Sequence, residues 1–309
     1  MGDRQVIFIL GVARSGTSAL ARVLSLCGCT LPDGLKEGNE GNPRGFWEPL
    51  EAARFNDEFL LRHAATYSDP TLRLQGELLF TQQESQSYIA QIRAFLARCP
   101  RGAPLLIKDL RIAALSDFWL QAAQAEGFRV KVVIPVRHPM EVAASLGDRA
   151  ARARIPASLE LRLAMWLKYN LLSELCSRQV PRVFIEHFSL LADWRSQVAR
   201  ISRALDLDLV TDSSAEVDAF LTPSLHRQRS RGSIVEVFGY PWVSDTYAIL
   251  AEATQDRPLE VARLDEILRV YRACERAFRI SLDDWRSRLP SRAPYESSLQ
   301  PAPLASVKQ

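Results

Sequence analysis

The sequence predicts an α/β fold, a three-layer sandwich in which helices flank a central parallel sheet. Short apolar segments alternate along the chain with longer segments of helical periodicity, the pattern of a sheet built from strand–helix–strand units. The apolar segments are nearly continuous, which is typical of strands buried on both faces. The first of them runs directly into a glycine-containing turn and then a helix.

Four strands and eight helices are predicted from these segments. The strands are Gln5–Leu10, Pro104–Lys108, Val130–Val136 and Arg182–Glu186. The helices, which have apolar residues at helical spacing, are Thr17–Cys27, Glu51–Arg62, Gln82–Arg98, Ile112–Glu126, Pro139–Ala150, Ser158–Arg178, Leu190–Leu205 and Leu259–Phe278. Two segments are predicted as irregular loops. Thr30–Pro49 is rich in Gly and Pro, and His226–Gly232 is a basic run.

Length and composition indicate one domain over residues 1–289, followed by a Pro- and Ser-rich tail at 290–309 that is predicted to be disordered. The net charge of +3 gives no reason to expect a nucleic-acid partner. No apolar run approaches the roughly 20 residues of a membrane span. The five cysteines lack metal-site spacing and are expected to be reduced thiols. These features together predict a cytoplasmic protein, and they leave the oligomeric state open.

The turn after the first strand has the composition of an anion site. It reads Gly-Val-Ala-Arg-Ser-Gly-Thr-Ser over Gly11–Ser18. Backbone N–H groups and the dipole of the following helix attract a phosphate at such a turn, so the fold is predicted to be P-loop-like. The nucleotide P-loop requires Lys before its last Ser or Thr. Here Thr17 stands at the Lys position, and the nearest cation is Arg14 inside the loop.

A second candidate anion site follows the third strand. The segment Val132–Ser145 reads Val-Val-Ile-Pro-Val-Arg-His-Pro-Met-Glu-Val-Ala-Ala-Ser. Arg137 leaves the carboxyl end of the strand, where open α/β sheets bind ligands, and Pro139 is suited to the first position of a helix. Ser145 lies two turns into that helix and offers its hydroxyl to the same anion. Two adjacent anion sites suit a nucleotide that carries phosphates at both ends.

Together the two motifs resemble those of sulfotransferases that use PAPS (3′-phosphoadenosine 5′-phosphosulfate). The chain looks closer to the bacterial and polysaccharide-type enzymes than to the cytosolic aryl type, because Lys108 is followed by Asp-Leu rather than by the Thr-His of the latter. The resemblance implies transfer of a sulfuryl group from PAPS to a hydroxyl, with adenosine 3′,5′-bisphosphate (PAP) as product and without a metal. The donor-binding residues that it implies are Arg14, Ser15, Gly16, Thr17, Ser18, Arg137, Ser145, Arg231 and Gly232.

The catalytic residues implied by the resemblance are Arg14, Glu48, Lys108 and Asp109. Arg14 would stabilise charge on the leaving phosphate, and Lys108 would steady the transferred group. A Glu in the segment after the first helix serves as base in polysaccharide-type enzymes, and Glu48 lies in the comparable segment. Phe46 and Trp47 beside it would raise its pKa by desolvation. Asp109 is the alternative base, and each carboxylate has an alternative structural role, Glu48 at a helix start and Asp109 in an ion pair.

The acceptor stays open at this stage. The resemblance suggests a hydroxyl of a carbohydrate or glycolipid. Five aromatic residues, which are Phe46, Trp47, Phe55, Phe59 and Tyr67, line an acceptor pocket or belong to the core. Two alternative functions are left open. One is a small-molecule kinase that uses ATP and magnesium and has moved its cation to Arg14, and the other is a non-catalytic binding module that keeps the nucleotide fold for interaction.

Overall fold

The strands form one parallel sheet in the order β2-β1-β3-β4. In the computed structural model, which describes residues 4–39, 42, 44–76, 79–211, 214–222 and 232–288, helices cover both faces of this sheet. The predicted fold class is confirmed. The strands are β1 Arg4–Ile9, β2 Leu105–Lys108, β3 Phe128–Val136 and β4 Arg182–Glu186, each within two residues of its predicted bounds.

Strand β1 lies between β2 and β3, and its register fixes where the loops meet. Ile9 pairs with Lys108 on one side and with Val133 on the other. The chain passes from β1 to β2 and then returns to the opposite side of β1 to form β3. This change of direction makes the carboxyl ends of β1 and β3 the expected ligand crevice of an open α/β sheet.

The two faces of β1 pack against different helices because successive side chains of a strand point to opposite faces. Phe8 packs edge-on against Trp119 at a ring-centroid distance of 5.9 Å, in a core cluster that also contains Phe55 and Phe59. Ile7 and Ile9 face a second cluster with the helix that follows β1. Every residue named here is at most 5% exposed, so the sheet is buried on both faces.

Twelve α-helices are found among the described residues. They are α1 Thr17–Leu26, α2 Leu50–Arg62, α3 Arg73–Gly76, α4 Gln82–Arg98, α5 Ser116–Ala125, α6 Pro139–Arg152, α7 Leu159–Cys176, α8 His187–Ala192, α9 Trp194–Leu205, α10 Ser214–Phe220, α11 Trp242–Ala253 and α12 Val261–Ser287. No described helix combines the length and apolar content needed to cross a membrane.

Several predicted helices differ from the structure. The predicted helix Leu190–Leu205 is two helices, α8 and α9, because the backbone of Asp193 is not helical (φ −149°, ψ 77°) and its carboxylate accepts the Ser196 N–H as an N-cap at 3.1 Å. The predicted helix Ile112–Glu126 begins as a 3₁₀ turn over Ile112–Leu115. Helices α10 and α11 were not predicted, and α12 extends to Ser287.

Three predictions on chain organisation remain, and two of them concern residues beyond the described ones. The tail at 290–309 and the basic run 226–231 both lie outside them. Thr30–Pro49 is irregular where it is described, with only isolated bridges such as Leu35–Pro49.

Helix α7 carries a buried lysine. Lys168 is 1% exposed, and its ammonium donates to the Asp69 carbonyl at 2.8 Å. Burial lowers the pKa of Lys168 to about 8, against the opposing effect of Asp69 and Glu275. The folded protein therefore releases this proton at a lower pH than the unfolded chain does.

We predict that this lysine makes the free energy of unfolding rise with pH. Between about pH 8 and pH 10.5 the unfolded chain binds a proton on Lys168 that the folded protein has lost, so stability increases across this window by about 3 kcal/mol. The measurement is chemical denaturation at several pH values, with Lys168→Met as the comparison. The difference between the two proteins isolates Lys168 from other titrating groups, and a difference that does not change with pH would contradict the assignment.

Candidate active site

The glycine loop between β1 and α1 reverses the chain sharply. Arg14 has a φ of 70°, a left-handed conformation that is uncommon for a residue with a side chain. Ser15 donates from Oγ to the Val12 carbonyl at 2.7 Å, inside the turn. The sharp reversal brings the loop directly onto the first turn of α1, where backbone N–H groups lack helical partners.

Gly16 is the N-cap residue of α1, and no other residue fits there. Its φ is 98°, in the region that favours glycine. A Cβ atom at this position would lie 2.2 Å from Nδ1 of His187, far inside van der Waals contact. The imidazole at the start of α8 therefore packs directly on the glycine loop and connects the end of β4 to the end of β1.

The two predicted anion sites meet through Arg14. Its Nε donates to Ser145 Oγ at 2.9 Å, and its carbonyl accepts a hydrogen bond from Arg137 Nη1 at 2.9 Å. Arg137 is also paired with Glu141 at 2.8 Å, and its own carbonyl accepts from the indole N–H of Trp166 at 3.1 Å. Arg137 and Ser145 follow Arg14 by 123 and 131 residues in sequence. The three residues thus form one cluster of polar groups.

The segment before α2 closes over the start of α1. Ser18 donates from Oγ to the Phe46 carbonyl at 3.3 Å, and Asn42 donates to the Gly45 carbonyl at 2.6 Å. Thr17 is buried in the first turn of α1, with 3% of its surface exposed. We call residues 42 and 44–49 the strap. It carries Glu48 to the carboxyl edge of the sheet.

Glu48 and Lys108 form a buried ion pair. The Lys108 ammonium donates to Glu48 Oε1 at 2.5 Å and to the Phe46 carbonyl at 3.2 Å. The side chains are 3% and 2% exposed. Burial lowers the pKa of Lys108, and the charge of Glu48 opposes this effect. Among the described residues, the cation nearest to the second carboxylate oxygen of Glu48 is Arg111 Nη1, at 4.0 Å.

Asp109 occupies a denser network one residue further along. Its Oδ1 accepts from the Arg111 backbone N–H and from Arg111 Nη1, both at 2.9 Å, and its Oδ2 accepts from Asn56 Nδ2 at 2.9 Å. Burial raises the pKa of Asp109, and Arg111 opposes this effect. Arg111 also forms a two-pronged pair with Asp57, at 2.6 and 2.7 Å. Asp109 is therefore enclosed by donors, whereas Glu48 has an oxygen without a close partner among the described residues.

The structure brings most of the predicted site residues to one edge of the sheet. Arg14, Arg137 and Ser145 are in contact, and Glu48 contacts Lys108. Ser18 joins the two groups through the strap, since it and Lys108 both donate to the Phe46 carbonyl. Arg231 lies outside the described residues, and Gly232 is exposed. Their predicted roles stay predictions.

Two polar residues of the site were missed from the sequence. Asn56 lies in the middle of α2 with no exposed surface, accepts from Tyr88 Oη and Trp119 Nε1, and supports Asp109. The sequence does contain a signal for Asn56, because an amide among apolar residues on the buried face of a predicted helix is unusual. Tyr67 accepts from the Ala13 N–H in the glycine loop at 2.7 Å. It was grouped with Phe55 and Phe59, which belong to the core.

The cluster combines an anion-binding turn, two guanidinium groups and a buried carboxylate with its own cation. Such a set can bind a doubly phosphorylated ligand, neutralise charge on a leaving phosphate and accept a proton.

Comparisons with solved structures find sulfotransferases. The sulfotransferase domain of a Synechococcus olefin synthase is 19% identical, with a TM-score of 0.47 over 81% of this chain and 96% of that one. A sulfotransferase of Alicyclobacillus acidocaldarius is 17% identical, with a TM-score of 0.42 over 85% and 100%. A mouse sulfotransferase in complex with PAP is 14% identical, with a TM-score of 0.42 over 86% and 90%.

All three of these structures are named as sulfotransferases, and each is less than 20% identical to this chain. No family model and no curated protein matches the sequence. Residue roles do not carry over at such identities, so the function has to be argued from the site itself.

We predict strong energetic coupling between Glu48 and Lys108. Replacing one partner leaves the other buried without its counter-charge, so Lys108→Met is expected to cost about 3–5 kcal/mol of unfolding free energy. The double variant Lys108→Met, Glu48→Gln should cost less than the sum of the single variants by more than about 1 kcal/mol. Denaturant titration of the four proteins measures this difference.

The matched control is the exposed pair Arg257–Glu252, whose side chains are 65% and 51% exposed. Its coupling is expected to be below about 1 kcal/mol, because solvent screens the charges. Equal coupling in the two pairs would mean that the Glu48–Lys108 pair is not buried in solution.

Proposed function

We propose that the protein transfers a sulfuryl group from PAPS to the hydroxyl of an acceptor and releases PAP. The observation that carries this proposal is the contact of the two anion sites through Arg14, which bonds Ser145 with its side chain and Arg137 with its carbonyl. A ligand with phosphates at both ends fits two linked anion sites. A nucleoside triphosphate carries all its phosphates at one end, so it has no phosphate to place in the second anion site.

The residues present fit the donor in charge and in hydrogen-bonding chemistry. The glycine loop and the first turn of α1, from Arg14 to Ser18, offer backbone N–H groups to the 5′ end. Arg137 and Ser145 offer a guanidinium and a hydroxyl to the 3′-phosphate. We assign Arg231 and Gly232 to the same phosphate on the basis of the family resemblance alone.

Glu48 is proposed as the base, acting through Oε2. Its Oε1 is held by Lys108 at 2.5 Å, so the carboxylate is fixed in orientation while Oε2 is left to receive the acceptor proton. The donor supplies the sulfuryl group and a phosphate leaving group of low basicity. Arg14 neutralises the charge that develops on that phosphate, and Lys108 lies beside Glu48 to hold the transferred group.

Asp109 is proposed as a positioning carboxylate rather than the base. Its two oxygens accept from three donors of Arg111 and Asn56, and it has no exposed surface. It holds the Arg111 guanidinium 4.0 Å from Glu48 Oε2. In this arrangement the Arg111 guanidinium lies near the carboxylate oxygen that is proposed to accept the proton.

The acceptor proposed here is a hydroxyl of a carbohydrate or glycolipid, which rests on the resemblance to polysaccharide-type enzymes. The donor can be tested before the acceptor is known.

The wild-type protein is expected to bind PAP without added metal and more tightly than it binds ATP with or without magnesium. Arg137→Ala is expected to weaken PAP binding by at least about tenfold, because it removes a charge-assisted hydrogen bond. Isothermal titration calorimetry measures the affinity of the wild type for PAP and ATP, and that of Arg137→Ala for PAP. Arg98→Ala, which removes an exposed arginine from α4, is the control and should bind PAP like the wild type. Magnesium-dependent ATP binding without a response to PAP would favour the kinase alternative.

Glu48→Gln is expected to slow the turnover of PAPS by about 10²-fold or more, because the amide cannot accept the proton. With water as the test acceptor, release of PAP and sulfate from PAPS reports this step, and PAP affinity should change little. Glu51→Gln, an exposed carboxylate in the first turn of α2, is the matched control. If Asp109→Asn stops turnover and Glu48→Gln does not, the two carboxylates have been assigned the wrong way round.

A further inference from the structure

Tyr67 lies in the segment Thr66–Leu72 between α2 and α3, far in sequence from the glycine loop that it contacts. The Ala13 N–H donates to its Oη at 2.7 Å. Ala13 directly precedes Arg14, so the phenol lies beside the residue that links the two anion sites. A backbone N–H of an anion loop that is already satisfied by a protein oxygen is not available to a ligand. The phenol oxygen of Tyr67 is therefore the acceptor for the Ala13 N–H in place of a ligand oxygen.

The segment Thr66–Leu72 is held along its length by side chains from two helices. Helix α7 contributes Tyr169, whose Oη donates to the Tyr67 carbonyl at 2.9 Å, and Lys168, which donates to the Asp69 carbonyl at 2.8 Å. From α12, Tyr271 Oη donates to the Pro70 carbonyl at 2.7 Å, and Glu275 accepts from the Leu72 N–H at 3.2 Å.

These four side chains fix the backbone from the carbonyl of Tyr67 to the N–H of Leu72. Lys168, Tyr169 and Tyr271 are at most 5% exposed. Burying these polar groups costs free energy unless each forms a hydrogen bond. Here each donates to a backbone carbonyl of the segment Thr66–Leu72. The phenol is thereby held in place before any ligand arrives, which lowers the entropy lost on binding.

The hydroxyl of Tyr67 has one unused function. A phenol can accept and donate at the same time. Its oxygen accepts from Ala13, but among the hydrogen bonds of the described residues its own hydrogen has no acceptor. Burial raises the pKa of Tyr67 well above its usual range, and the Ala13 hydrogen bond and Arg149 only partly offset this. The group therefore stays protonated and remains a donor at neutral pH.

We propose that the Tyr67 hydroxyl donates its hydrogen to an oxygen of the anion held in the glycine loop, as an additional ligand-contacting residue. This rests on the proposed function for the identity of the ligand, the 5′ end of the nucleotide. The anion itself is the missing acceptor for the phenol. Because a hydroxyl that accepts one hydrogen bond becomes a better donor of the next, the Ala13 contact strengthens this bond.

The test is calorimetric binding of two probes, PAP and inorganic pyrophosphate, to the full chain. Tyr67→Phe retains the ring and removes the hydroxyl, and it is expected to weaken both probes by at least about tenfold, as loss of a hydrogen bond to a charged group does. Tyr240→Phe, on an exposed tyrosine, is the control and should bind like the wild type.

A fluorinated tyrosine at position 67 separates donation from support of the loop. Fluorination makes the phenol a better donor and a poorer acceptor, so at mildly acidic pH it should bind PAP at least as tightly as the wild type does. If the phenol only supports the loop, the fluorinated protein should instead bind PAP more weakly, together with Tyr67→Phe, and the proposal is overturned. Tyr67→Phe binding both probes within about threefold of wild type, well short of one charged hydrogen bond, would overturn it as well.

The two probes keep this proposal distinct from the proposed function. Wild-type protein that binds pyrophosphate but not PAP would contradict the PAPS assignment while leaving Tyr67 testable with pyrophosphate. Wild-type protein that binds PAP, with no loss in Tyr67→Phe, would contradict only the role of Tyr67. If the wild type binds neither probe, the loop holds no anion and both proposals fail.

Discussion

Parallel pairing of β1 with β3 places two chain reversals side by side. Both strands end at the same edge of the sheet, and β3 runs three residues beyond Val133, the partner of Ile9, before it turns. The Arg137 side chain therefore reaches across to the loop after β1 and donates to the Arg14 carbonyl. Antiparallel pairing would put these ends at opposite edges. The glycine loop and the segment from Arg137 to Ser145 take their relative positions from this register.

The site is built from charges that the interior tolerates only in pairs. Lys108 is compensated by Glu48, and Asp109 by Arg111, which in turn binds the partly exposed Asp57. Replacing such pairs with apolar side chains often leaves stability unchanged or improves it, so folding alone gives no reason to keep them. A fixed carboxylate next to a fixed ammonium, on the other hand, is what proton transfer and charge neutralisation require. Under the proposed function, the Glu48–Lys108 pair is kept for its chemistry rather than for folding.

The sheet and the glycine loop could be predicted from the sequence because both are local. Each strand is a short apolar run, and Gly11 and Gly16 mark a turn that fixes its own backbone. The break at Asp193 was missed because apolar periodicity continues across it, and only the capping carboxylate ends the first helix. Contacts between distant segments had no local signal. The bond from Ala13 to Tyr67 spans 54 residues, and the amide of Asn56 gains its three partners only when α2, α4, α5 and the end of β2 pack together.

Because His187 packs on Gly16, substitutions are restricted more strongly at position 16 than at position 187. Residue 16 is confined to glycine by its backbone angle and by the imidazole that covers it. Residue 187 has no such backbone limit, and a smaller side chain there would open space beside Gly16. Related chains can therefore vary at position 187 while position 16 stays fixed. A change at residue 187 would then alter the space next to Gly16 without changing the residues of the glycine loop.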